Sequence, residues 1–153
     1  MKTITQRYLK KEITGKKVLV DSNTIIYLTD SIQPYDSLSR VVFELIEEGK
    51  VQAVFSAISI AEVMNGPLKQ GLKSTALQVR DYLLNFPNSH SQDINADVIG
   101  VIGIDERISW SKLRAVDSLI IASGLINEVD LFISNDLHFK KAISTDMIIA
   151  FDK

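Results

Sequence analysis

Short uninterrupted apolar runs alternate along the chain with longer stretches in which apolar residues recur every three or four positions. Residues 17–21 (KVLVD) form such a run ending in an acid, and residues 24–28 can begin a helix directly after it, which reads as strand, tight turn, helix. Over residues 37–48, Leu38, Val41, Val42, Leu45 and Ile46 share one helical face, and Gly49 supplies the stop. Residues 51–55 (VQAVF) make the next strand. A helix is predicted over 59–65, with Ser59 and Glu62 spaced as a capping box and Gly66-Pro67 ending it. Over 72–86 an amphipathic helix turns Leu72, Ala76, Val79, Leu83 and Leu84 inward until Pro87-Asn88, and 89–92 form a weak strand. In the second half, 95–113 read as mostly helical despite Gly100 and Gly103, and 117–127 as a strongly apolar helix. Residues 131–134 (LFIS) are a strand, 136–142 a short helix and 147–151 (MIIAF) a last strand.

Short, continuously apolar strands separated by helices are the pattern of a parallel sheet covered on both faces, because each right-handed crossover lays a helix over the sheet. The predicted fold is a three-layer α/β/α sandwich with a mostly parallel sheet. In open sheets of this kind, ligands bind beyond the C-terminal strand ends, where the connections reverse direction.

Composition narrows the field. With 153 residues, 46% of them apolar, the chain suits one domain with a substantial core. The net charge is −2, but the first 17 residues carry +5 and the remainder −7. Residues 1–16 therefore read as a basic N-terminal arm ahead of a domain over 17–153. The arm is expected to be frayed and solvated with a short helix near Tyr8 and Leu9, or else to supply phosphate contacts that the acidic body lacks. The absence of cysteine excludes disulfide scaffolds, thiolate zinc sites and Cys nucleophiles, and suits a reducing compartment. The longest apolar stretch, 118–126, is far short of the roughly 20 residues that span a bilayer, so a soluble, cytoplasmic protein with no membrane partner is expected.

Four acids stand at or just after strand ends: Asp21 closes the first strand, Glu62 lies in the helix after the second, Asp117 opens the apolar helix, and Asp136 follows LFIS. Each has a plain explanation as a helix cap or turn residue. Together, four carboxylates in one pocket would repel and desolvate one another, and would either protonate or require a cation. Hard oxygen donors select Mg²⁺ or Mn²⁺. Asn23 can orient the Asp21 carboxylate or serve as an N-cap.

Four blocks carry a resemblance: V-L-V-D-S-N-T-I-I-Y-L (18–28), S-A-I-S-I-A-E-V-M-N-G (56–66), L-R-A-V-D-S-L-I-I-A-S-G-L (113–125) and F-I-S-N-D-L-H-F-K-K (132–141). In order and spacing they resemble the signature blocks of the PIN domain, and most of all the VapC-like toxin ribonucleases of type II toxin-antitoxin pairs. The likeness extends over residues 17–151. It implies a five-stranded parallel sheet and a metal-dependent ribonuclease leaving a 5′-phosphate and a 3′-hydroxyl. Asp21, Glu62 and Asp117 match the family's near-invariant acids, Asp136 the more variable fourth, and Asn23 and Ser134 the small polar positions that support them. It further implies a cognate antitoxin and a homodimer. The basic arm and Ser123-Gly124, in place of an Ala-Thr-Ala type ending, depart from the pattern.

A phosphodiester is repelled by bare carboxylates, so bound Mg²⁺ must bridge protein and substrate and activate the attacking water. Asp21, Glu62 and Asp117 are the expected ligands, with Asp136 as ligand or water orienter. Lys112, Arg114, Lys140 and Lys141 flank the acids and are candidate RNA-backbone contacts. His90 and His138 each lack a spaced partner and are not assigned as bases. Trp110 and Phe139 are assigned to packing rather than base stacking. Two rivals stand beside the nuclease. One is an inactive PIN-like module that binds RNA or protein. The other is a haloacid-dehalogenase-like phosphatase, suggested by Asp21-Ser22-Asn23-Thr24, in which Asn23 stands where that chemistry needs an acid.

Overall fold

The computed structural model describes residues 2–153. In chain order the elements are α1 (Gln6–Ile13), β1 (Lys17–Val20), α2 (Ser22–Thr29), α3 (Asp36–Glu47), β2 (Gln52–Ser56), α4 (Ala57–Lys69) and α5 (Lys73–Leu84). The second half adds β3 (Ser89–Gln92), α6 (Ala96–Val101), α7 (Ala115–Ile126), β4 (Leu131–Ile133), α8 (Leu137–Ala142) and β5 (Ile148–Ile149). All five strands are parallel, in the order β3-β2-β1-β4-β5.

Strand alternation divides the core into two layers. Val18, Val20, Ala53, Phe55, Leu131 and Ile133 face one side, where they pack with Leu9 and Ile13 of α1, Val42, Leu45 and Ile46 of α3, and Ile60 and Val63 of α4. Leu19, Val54 and Phe132 face the other, against Ile120 and Ile121 of α7 and Phe139 of α8. A sheet buried on both faces needs apolar residues at consecutive positions, which is why β1, β2 and β4 read as continuous runs. The three-layer sandwich inferred from the sequence is the fold observed.

Several local expectations are corrected. α4 begins at Ala57, because Ser56, not Ser59, is the N-cap: its side chain accepts from the Ile58 N–H at 3.3 Å. Glu62 thus lies in the second turn and outside any capping box. Gly66-Pro67 does not end that helix, which runs on to Lys69. Residues 95–113 are not one helix: α6 stops at Val101, and Gly103, at φ +87°, turns the chain into a loop. In α5, Ala76 and Leu83 are buried, but Leu84 and the N-cap Leu72 just ahead of the helix are about half exposed. The described residues of the arm, 2–16, are not frayed. The helix near Tyr8 and Leu9 is α1, whose Leu9 and Ile13 are fully buried. Ahead of it, Thr3 bridges Asp152 in antiparallel fashion, and the Ile4 N–H donates to the Phe151 carbonyl at 2.8 Å.

Candidate active site

From the central strand β1 the chain moves outward to β2 and β3, then returns across the sheet to β4 and β5. The reversal falls between β1 and β4, and the crevice beyond their C-terminal ends is where an open α/β sheet binds ligands. Val20 pairs in register with Ile133, so the next residues, Asp21 and Ser134, emerge side by side.

Asp21 is the N-cap of α2. Its Oδ1 accepts the Ser22 N–H at 2.8 Å, and its Oδ2 accepts the Ser134 hydroxyl at 2.7 Å. Ser134 Oγ in turn accepts the Asp136 N–H at 3.0 Å, and Asp136 Oδ1 caps α8 by accepting the His138 N–H at 2.7 Å. Asp117 is the third residue of α7. Its Oδ2 accepts the backbone N–H of Arg114 at 3.3 Å, and the Arg114 side chain grips both oxygens, Nε to Oδ2 at 3.1 Å and Nη2 to Oδ1 at 3.2 Å. Glu62 projects from α4, with the Ser22 hydroxyl as its polar neighbour.

The charges feel one another. Burial pushes the Asp21 carboxyl up to about 6, opposed by its bonds from Ser134 and Ser22 and reinforced by the charges of Glu62 and Asp136. Glu62 is raised first by desolvation and then, against the Ser22 bond, by Asp117 and Asp136, while Arg114 offsets part of this. Although Glu62 is exposed as a residue, its carboxyl is partly shielded by the cleft wall. Four acids separated by 41, 55 and 19 positions in sequence therefore share one electrostatic neighbourhood.

Asn23 does not touch Asp21: its Oδ1 accepts from the Thr24 hydroxyl at 3.3 Å, so it neither orients that carboxylate nor caps the helix. Among the basic candidates, Arg114 is paired with Asp117. Lys112 is exposed beside a short helical turn, and Lys140 and Lys141 lie in the last turn of α8. Phe139 is buried in the core, and the Trp110 Nε1–H donates to the Asp105 carbonyl at 2.9 Å as part of the packing. His90 lies exposed on the edge strand β3. Three contributors escaped the reading of the sequence. Ser22 was signalled only by adjacency to Asp21 and Asn135 only as the neighbour of Asp136, whereas Asp152 gave no signal. A cavity of about 440 Å³, lined by Val101, Ile104, Arg107, Leu125 and Val129 among others, contains none of the four acids.

In donor chemistry this set suits a hard divalent cation, since carboxylate oxygens stand there without thiolate or imidazole. The buried, mutually repelling carboxyls are the groups such an ion would stabilise. Among the described residues, however, no three acidic or histidine side chains are grouped closely enough to ligate one ion together. Both oxygens of Asp117 are held by Arg114.

No protein-family model matches the sequence, and no curated protein matches it. Solved structures do. VapBC2 from Rickettsia felis, crystallised on a promoter DNA fragment, matches with a TM-score of 0.65 at 17% identity, covering 89% of this chain and 99% of that one. FitAcB from Neisseria gonorrhoeae gives 0.60 at 20% identity over 88% and 96% of the two chains. VapC20 from Mycobacterium tuberculosis, described as a sarcin-ricin loop cleaving toxin, gives 0.58 at 13% over 81% and 93%. This chain has the fold of the PIN-domain toxins of VapBC and FitAB toxin-antitoxin systems.

Proposed function

We propose that the chain is a metal-dependent endoribonuclease acting as the toxin of a type II toxin-antitoxin pair. The reading rests above all on one observation: Asp21, Glu62, Asp117 and Asp136, from four separate blocks, meet electrostatically at the switch point of a PIN-like sheet. The similar chains from toxin-antitoxin complexes support it, including the one described as cleaving a sarcin-ricin loop.

Asp21, Glu62 and Asp117 would hold Mg²⁺ or Mn²⁺, with Asp136 as a further ligand or as orienter of a bound water. Such an ion supplies Lewis acidity, lowering the pKa of a bound water and neutralising phosphate charge. The protein's own groups set the geometry. Ser134 and the Ser22 N–H fix both Asp21 oxygens, so the buried carboxylate presents a defined face to the cleft. Arg114, whose side chain is 71% exposed, can leave Asp117 and donate to a phosphate oxygen of the RNA backbone. Lys112, Lys140 and Lys141 extend the anion-attracting rim. We assign the cytoplasm as the place of action, a cognate antitoxin and RNA as partners, and a homodimer as the assembly.

The test is cleavage of single-stranded RNA with Mg²⁺ or Mn²⁺, with and without chelator, by the native protein and by Asp117→Asn. Chelator-sensitive cleavage that the variant loses is the expected result. RNA binding without cleavage, whatever the metal, would make the protein a binding module. Hydrolysis of a small phosphate ester retained by Asp117→Asn would point to a different site.

A further inference from the structure

Between Ser134 and Asp136, both in the acidic cleft, stands Asn135, whose side chain is turned away from the acids. Its Oδ1 accepts the backbone N–H groups of Phe151 and Asp152 at 3.0 and 3.1 Å, and its Nδ2 donates to Asp152 Oδ2 at 3.1 Å and to the Tyr27 hydroxyl at 3.3 Å. The amide thus uses its oxygen twice and its nitrogen twice, which exhausts its hydrogen-bonding capacity. Asp152 is held in turn by the Tyr35 hydroxyl at 2.7 Å. The rings of Tyr27 and Tyr35 stack with centroids 4.5 Å apart, and Phe151 lies 6.1 Å from Tyr27.

The segment that carries Phe151 and Asp152 is itself fixed from outside. Thr3 bridges Asp152, Ile4 donates to the Phe151 carbonyl, and the Lys153 N–H donates to the Lys2 carbonyl at 3.0 Å. The residues ahead of β1, which the acid chemistry leaves without a role, therefore hold the tail that holds Asn135. Tyr27 closes the loop, because it belongs to α2, the helix capped by Asp21.

We infer that Asn135 is a positioning residue, through which the Phe151-Asp152 tail and the N-terminal segment fix the turn that carries Ser134 and Asp136. Its catalytic consequence rests on the nuclease reading, whereas the positioning itself does not. A side chain locked at four points between two cleft residues restricts the backbone of both. The Ser134 hydroxyl then stays on Asp21, and the Asp136 carboxylate keeps its orientation. Displacement of such groups by an ångström is enough to cost a large factor in rate.

Two readouts on Asn135→Ala test this, one of them independent of activity. Amide hydrogen exchange at Ser22, Asp136 and His138, whose N–H groups end on Asp21, Ser134 and Asp136, should accelerate about tenfold relative to amides of α3 and β2. The kcat for RNA should fall about tenfold or more while KM changes little. Asp152→Asn, which keeps an acceptor oxygen, should retain more of both properties than Asp152→Ala. If Asn135→Ala does not fold, Tyr35→Phe, which removes one hydroxyl but keeps the ring stack, carries the same measurements with a smaller change. Unaltered exchange at the three amides in a folded variant would overturn the inference, as would a lower Tm with unchanged kcat. Failure of the native protein to cleave RNA would count against the nuclease alone, since the exchange result stands without it.

Discussion

The Ser134 hydroxyl donates to Asp21 Oδ2 across 2.7 Å, joining the ends of two neighbouring parallel strands at the point where the chain changes direction. It is a buried hydrogen bond to an ionisable group, and it also serves the Asp136 N–H.

Ser134→Ala should destabilise the protein by about 1.5–3 kcal/mol, the usual range for a hydrogen bond to a charged partner. It should also raise the Asp21 carboxyl further, since a bond to the ionised form is lost. Urea unfolding at pH 7.5 measures the first effect and a carboxyl titration by NMR the second.

Asp21 makes stability depend on pH in a stated direction. Its carboxyl ionises near 3.8 in the unfolded chain but near 6 in the folded one. Between about pH 4 and 6 the folded protein holds a proton that the unfolded chain releases, so stability falls as pH rises through this window and stays reduced above it. A displacement of that size corresponds to about 3 kcal/mol. Asp21→Asn should therefore melt at a higher temperature than the native protein at pH 7.5, with the gap closing towards pH 4.5, while RNA cleavage is lost. Equal melting temperatures at pH 7.5 would contradict the burial argument.

On the proposed metal chemistry, Arg114, paired with Asp117 at 3.1 Å, would compete with a cation for that carboxylate. Arg114→Gln should tighten Mn²⁺ binding by about fivefold, the worth of ~1 kcal/mol for a pair with one exposed partner, and should raise KM for RNA. Calorimetric titration of Mn²⁺ into both proteins decides the first part; weaker binding in the variant would mean that Arg114 orders Asp117 for the metal instead of screening it.

Gly124 sets α7 directly against Phe132 of β4. A methyl group there would lie 2.7 Å from Phe132 Cε1 and 3.1 Å from Val129 Cγ2. Gly124→Ala should cost about 1–3 kcal/mol through overpacking, although alanine is the better helix former. This contact supplies a physical reason for a glycine at position 124. Urea unfolding of the variant is the check.

What the sequence revealed follows from where the signal was local. The runs at 17–21, 51–55 and 131–134 are apolar at consecutive positions because both faces of their strands are covered, so the layers were legible without coordinates. The start of α4 was not, since Ser56 and Ser59 both satisfy capping chemistry and only tertiary packing chooses between them. Leu9 and Ile13 lie four apart on a helix, yet the surrounding lysines masked a face that α3 covers. In the site, the four acids were visible as types and positions. Ser134, 113 positions from Asp21, was marked only through the resemblance, and the meeting of Asp152 with Tyr35 over 117 positions was not legible at all.

The outer strands of the sheet carry a last consequence. β3 is four polar residues long and β5 only two residues long, so neither flank presents the extended backbone ladder on which a foreign strand could grow. Short edges of this kind offer a foreign strand few backbone groups to pair with, which discourages edge-to-edge polymerisation without charged guard residues on those strands.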